Sequence, residues 1–282
     1  MEPVCVAGVS WATNSSNRAA VIIEDGGTRE GPSGVPARRA RVAAVVSPLD
    51  DAEVVRLCTD GSQAVVAVDV PFGWPKQFAR FAQGWSPIIR RDRQPPDLDG
   101  FCRRTTELVV KNEVGKQPLS ISSEKIALSA RSWMELVHAS DLYGRVDVGI
   151  GLTGQGTHPT IIEAYPAAAA AAFSSAWNLE DLAKAYRKHA DARRGFVAAV
   201  LDGLGIEAGA GGDGMLDGIV GEDREPNKAD AFLAAATAFI YLGRIAGWDV
   251  RRPGDSEKED TPKEGWIFFP IRAGDAGPPP GA

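Results

Sequence analysis

The sequence predicts an α/β layer structure: a mixed sheet flanked by helices. Three observations lead there. Apolar runs of strand length crowd the first part of the chain. Later runs alternate with helical patterns. The last long helical pattern is apolar on every side, as suits a helix packed against a sheet.

Taken in order, Val4 to Val9 and Ala19 to Ile23 read as two buried strands joined by a polar turn. Glu24 to Pro36 is rich in Gly and charge and predicts a loop. Arg41 to Val46 follows as a third strand. Ser47, Pro48 and the acids Asp50, Asp51 and Glu53 then read as a helix start, with Ser47 as the capping hydroxyl. That helix should end near Gly61. Ala64 to Val70 is apolar except for Asp69, and Pro71 ends it. Residues 71–145 read as an insertion of loops and short helices, with a longer helical pattern at Glu124 to His138. Val146 to Leu152 and Thr160 to Ala164 are strand-like. Pro166 opens an alanine-rich helix ending near Phe173. Helical patterns recur at Leu179 to Arg187, Asp191 to Leu204 and Lys228 to Ala246, with a Gly-rich link at Gly205 to Gly214. Gly265 to Pro270 reads as an edge strand, and residues 271–282 as a disordered tail.

A chain of 282 residues, 44% apolar and 24% charged, suits one large domain over residues 1–270. Three well-separated Cys argue against a disulfide framework and for a reducing cytoplasm. The net charge of −6 is not that of a dedicated duplex binder, although it leaves room for a locally basic groove. The first ten residues lack a signal-peptide pattern, and no stretch reads as a membrane span. P-loop and nucleophile-elbow motifs are absent, and the three His are far apart.

The chemistry rests on acids set in apolar elements. Asp69 closes a hydrophobic strand, Glu163 ends the strand TIIEA, and Asp230 lies in the first turn of an apolar helix. A buried charge costs several kcal/mol unless paired, hydrogen-bonded or bound to metal. Each acid has a structural reading. Asp69 could cap the turn at Phe72 and Gly73, Glu163 could pair with an Arg, and Asp230 suits the helix dipole. Together they also suit an oxygen site for Mg2+ or Mn2+.

Several segments resemble one family. They are Gly8-Val9-Ser10-Trp11-Ala12, Val68-Asp69-Val70-Pro71-Phe72-Gly73-Trp74-Pro75, Cys102-Arg103-Arg104-Thr105-Thr106 and Pro118-Leu119-Ser120 to Lys125. Ile162-Glu163-Ala164-Tyr165-Pro166, Ala229-Asp230-Ala231 to Thr237-Ala238 and Glu264-Gly265-Trp266-Ile267 complete the set. In order and spacing they resemble the domain-of-unknown-function 429 family, whose members are predicted nucleases of RNase H-like fold. The resemblance implies a three-strand meander, a crossing helix to the Asp69 strand, the Glu163 strand next, and the Asp230 helix lying across the sheet. The residues themselves place a large insertion after the fourth strand, at about 71–145. Asp69, Glu163 and Asp230 would be the catalytic and metal-holding residues.

One departure matters. The family motif has Gly-x-Asp on the first strand, where this chain has Ser10, a neutral and weak ligand. Arg104 with Thr105 is the expected phosphate contact, with Ser10 beside the substrate. Basic residues at Arg38, Arg39 and Arg41, at Arg90, Arg91 and Arg93, and at Arg103 and Arg104 could track a nucleic acid backbone. Nearby Trp74, Phe78, Phe81, Trp85 and Phe101 could stack bases or form a small satellite core. Two readings therefore stand: a metal-dependent nuclease, or a catalytically inactive binding module for nucleic acid or a protein. A phosphotransferase of the sugar-kinase type would need a second such core, for which the chain is too short.

Overall fold

The computed structural model describes residues 4–30, 36–84, 97–149, 159–209, 212–223 and 225–274, with the side chains of 28–30 and 36–39 excepted. The strands are β1 (Val4–Ser10), β2 (Ala19–Glu30), β3 (Pro36–Val46), β4 (Gln63–Asp69), β5 (Asp147–Val148), β6 (Thr160–Ala164), β7 (Ile206–Glu207), β8 (Trp248–Val250), β9 (Ile267–Phe268) and β10 (Pro270–Arg272). The helices are α1 (Asp51–Thr59), α2 (Lys76–Gly84), α3 (Leu98–Cys102), α4 (Thr105–Val114), α5 (Glu124–Ser140), α6 (Pro166–Trp177), α7 (Glu180–Ala185), α8 (Ala190–Leu204), α9 (Asp213–Val220), α10 (Asn227–Tyr241) and α11 (Thr261–Glu264).

The main sheet runs β5-β6-β4-β1-β2-β3-β7, and β9 shares the free edge of β6 with β5. The first three strands form an antiparallel meander. After α1 the chain returns to lay β4 parallel to β1, and β6 parallel to β4. This is the strand order the resemblance implied, and the fold is a mixed α/β architecture of RNase H-like type. The segment between β4 and β5 carries α2 to α5, so the insertion after the fourth strand is present.

The pleat sends alternate residues to two cores. Val6, Val65, Ala67 and Ile162 face the layer built from α6, α8 and α10. Ala7, Val9, Val66, Val68 and Ile161 face α1 and α5, where Trp11 meets Trp133 edge-on at 5.2 Å. Helix α10 is buried on every side from Ala229 to Ile240, as its composition predicted. It packs closely because β1 offers a glycine. A Cβ on Gly8 would sit 2.1 Å from both the Ala231 carbonyl oxygen and the Ala235 nitrogen.

Several expectations are corrected. The cap of α1 is Asp50, reciprocally bonded with Glu53, so Ser47 and Pro48 lie before the helix. Residues 24–30 are strand rather than loop, because β2 and β3 continue pairing out to Glu30 and Pro36. The supposed Gly-rich link holds β7, paired with β3, and the start of α9. Helix α10 stops at Tyr241, short of Ala246, and β8 follows it. The closing aromatic segment splits into β9 on β6 and β10 on β8, so ordered strand reaches Arg272. Arg90, Arg91, Arg93, Trp85 and residues 275–282 lie outside the described residues, as do the Arg38 and Arg39 side chains. Among the described residues, no helix is long and apolar enough to cross a membrane.

Candidate functional site

The carboxyl ends of β1 and β4 meet the first turn of α10. Ser10 and Asp69 are direct partners in the parallel register. Asp69 follows Val65 and Ala67 on the face that α10 covers. The Gly8 contact fixes α10 against this strand pair one turn beyond Asp230. Asp69 and Asp230 are therefore brought together, with Ser10 beside them.

Asp230 is 1% exposed. The Tyr186 hydroxyl donates to its Oδ1 at 2.9 Å. Arg187 Nη2 stands 2.7 Å from its Oδ2 as an ion pair, without hydrogen-bond alignment. Burial raises the Asp230 carboxyl, while Arg187 and the Tyr186 hydrogen bond pull it back. Asp69 makes no side-chain hydrogen bond among the described residues, and it is partly exposed. Desolvation, then the charge of Asp230, push its carboxyl up to about 8, against the pull of Arg187. Tyr165 stands close enough that burial and the charge of Asp69 push its phenol up to about 12.

Glu163 lies on the other face of the sheet, close enough that its charge adds a smaller push to the Asp69 carboxyl. It pairs in register with Val68 and so faces the α1 and α5 side, opposite Asp69. There it is 2% exposed and gripped by Arg104, Nη2 to Oε1 at 2.6 Å and Nη1 to Oε2 at 2.9 Å. The Phe72 backbone N–H also donates to Glu163, so the turn after Asp69 is capped by Glu163 and not by Asp69. Arg104 spends its remaining reach on Glu107 and on the Glu264 carbonyl. Thr105 donates its backbone N–H to Glu264. Both residues the sequence offered to phosphate thus serve a buried network that joins the insertion to the chain's end. Lys76 extends this network to Asp260 and Glu264.

Of the other basic residues, Arg41 pairs with Glu24 and Arg103 with Asp99. Phe101 packs edge-on against Phe78 at 5.0 Å, and Trp74 stacks on Phe78 at 6.1 Å, so α2 and α3 share a small aromatic cluster.

The donor set at Asp69 and Asp230 is two carboxylates and the Ser10 hydroxyl, all hard oxygens. Among the described residues, no group of three or more His, Cys, Asp or Glu side chains could hold a metal ion. The residues fit a divalent ion of the kind that protein carboxylates hold only in part, with water and substrate phosphate completing its coordination. Tyr186, Arg187 and Tyr165 are additions that the sequence did not single out. Tyr186 caps the C-terminus of α7 and Arg187 lies in the turn after it, at the end of a helical pattern that marks neither residue as functional.

A family model described as "Protein of unknown function (DUF429)" matches residues 13–257. No curated protein matches the chain, and no solved structure does.

Proposed function

We propose that this chain, which belongs to the DUF429 family, is a divalent-metal-dependent nuclease acting at Asp69 and Asp230. The observation that carries the reading is the facing of these two acids at the carboxyl ends of β1 and β4. Two carboxylates forced together raise each other's cost of ionisation, and a divalent cation relieves that cost. Asp69, Asp230 and Ser10 are the side chains that would hold magnesium or manganese. Such an ion, when bound, supplies Lewis-acid polarisation of a phosphoryl oxygen. Tyr186 orients the Asp230 carboxylate through Oδ1, while Oδ2 is ion-paired with Arg187. Glu163 stays outside the set, because Arg104 satisfies both its oxygens.

A second reading has its own support. Ser10 brings no charge, and Arg187 already neutralises Asp230. These features suit a binding module that has lost its chemistry.

Manganese calorimetry on the wild type, Asp69→Asn and Asp230→Asn separates the two. The nuclease reading expects binding that both variants lose, followed by hydrolysis of DNA or RNA in manganese. No binding above the millimolar range by the wild type favours the silent module.

A further inference from the structure

Three arginines sit against buried groups around the two acids, and only one of them is free to leave. Arg104 is 1% exposed, and its Nε, Nη1 and Nη2 all donate. Arg193 is fully buried and donates to the carbonyls of Tyr186, Val220, Glu222 and Asp223. Turning either one would strand buried acceptors.

Arg187 differs. Its side chain is 51% exposed, and among the described residues its ion pair is with Asp230 and lacks hydrogen-bond alignment. Its root is nevertheless fixed. The preceding Tyr186 is locked at both ends, its hydroxyl on Asp230 and its carbonyl on Arg193. The arrangement is an anchored backbone carrying a guanidinium that can swing between the acid and solvent. A planar guanidinium is also the side chain best shaped to take a phosphodiester bidentately.

We propose that Arg187 is an exchangeable counter-ion: it neutralises Asp230 in the cation-free protein and turns to a non-bridging phosphate oxygen of the substrate once a divalent cation joins the acids. This rests on the nuclease reading above. It assigns to Arg187 both a brake on cation entry and a hold on the substrate backbone.

The test measures two affinities on the wild type, Arg187→Ala and Arg187→Lys. Manganese alone is titrated by calorimetry, and oligothymidylate binding is followed by fluorescence anisotropy in calcium. Arg187→Ala should bind manganese about tenfold more tightly and oligothymidylate about tenfold more weakly. Arg187→Lys, which keeps the charge but not the fork, should hold manganese near the wild-type affinity and still lose grip on the oligonucleotide. If the wild type binds manganese and Arg187→Ala matches it in both titrations, the inference fails and the nuclease reading stands. If neither protein binds manganese, the nuclease reading fails and takes the inference with it.

Discussion

Replacing Asp69 with Asn should stabilise the protein while removing its cation site. The folded carboxyl titrates at about 8, whereas its ordinary value is 3.8. Between those values the native state holds a proton that the unfolded chain has released. Stability therefore falls as pH rises through this window, and the loss is complete above the folded value. Each unit is worth about 1.4 kcal/mol, which sets a ceiling of roughly 6 kcal/mol. Asp69 is partly exposed, and solvent screening reduces the effect to about 2 kcal/mol. Asn at this position carries no such penalty. The stability difference between Asp69→Asn and wild type should be near zero at about pH 4, grow through neutrality and level off above about pH 8. Urea unfolding followed by tryptophan fluorescence reads it, because groups not coupled to Asp69 cancel in the difference. A roughly 2 kcal/mol gain corresponds to a few degrees in Tm for a chain of this size. Saturating manganese should erase the wild type's deficit and leave the variant unchanged. A difference that stays flat across the pH range would refute the argument that burial and the charge of Asp230 hold the Asp69 carboxyl above its ordinary value.

Three further outcomes follow from the packing. Glu163→Gln strands the Arg104 charge in a buried network and should cost about 3–5 kcal/mol in urea unfolding, with manganese affinity unchanged in the folded fraction. Gly8→Ala drives a Cβ into the α10 backbone and should cost about 1–3 kcal/mol or more; an undiminished Tm would overturn the close β1 to α10 contact. Tyr186→Phe removes the donor to Asp230 Oδ1 and should cost about 1–3 kcal/mol, and calorimetry should show weaker manganese binding as the acid loses its orientation.

The strands that build the sheet's centre were legible because each is a compact apolar run, as at β1, β4 and β6. So was α10, apolar on every side. What escaped was short or polar. Strand β7 is two residues at the edge of a Gly-rich run and presents too little pattern to read, and the outer part of the β2 and β3 ribbon is so rich in Gly and charge that it reads as loop. The acids were legible as anomalies, but their partners were not. Whether Glu163 faces Asp69 depends on its pairing with Val68, and a shift of one residue would reverse the answer. Sequence fixes neither that register nor the contact between Arg187 and an acid 43 positions later, which only the folded chain creates.

The buried network around Arg104 also makes the insertion depend on a residue far along the chain. Acceptors at Glu264 serve Lys76, Arg104 and Thr105, which lie more than a hundred positions earlier. Without Glu264, the backbone N–H groups of Lys76 and Thr105 at the starts of α2 and α4 have water as their partner, and the insertion loses its tie to the closing segment. A protein cut just before Glu264 should retain its central sheet yet leave the helical insertion open to protease.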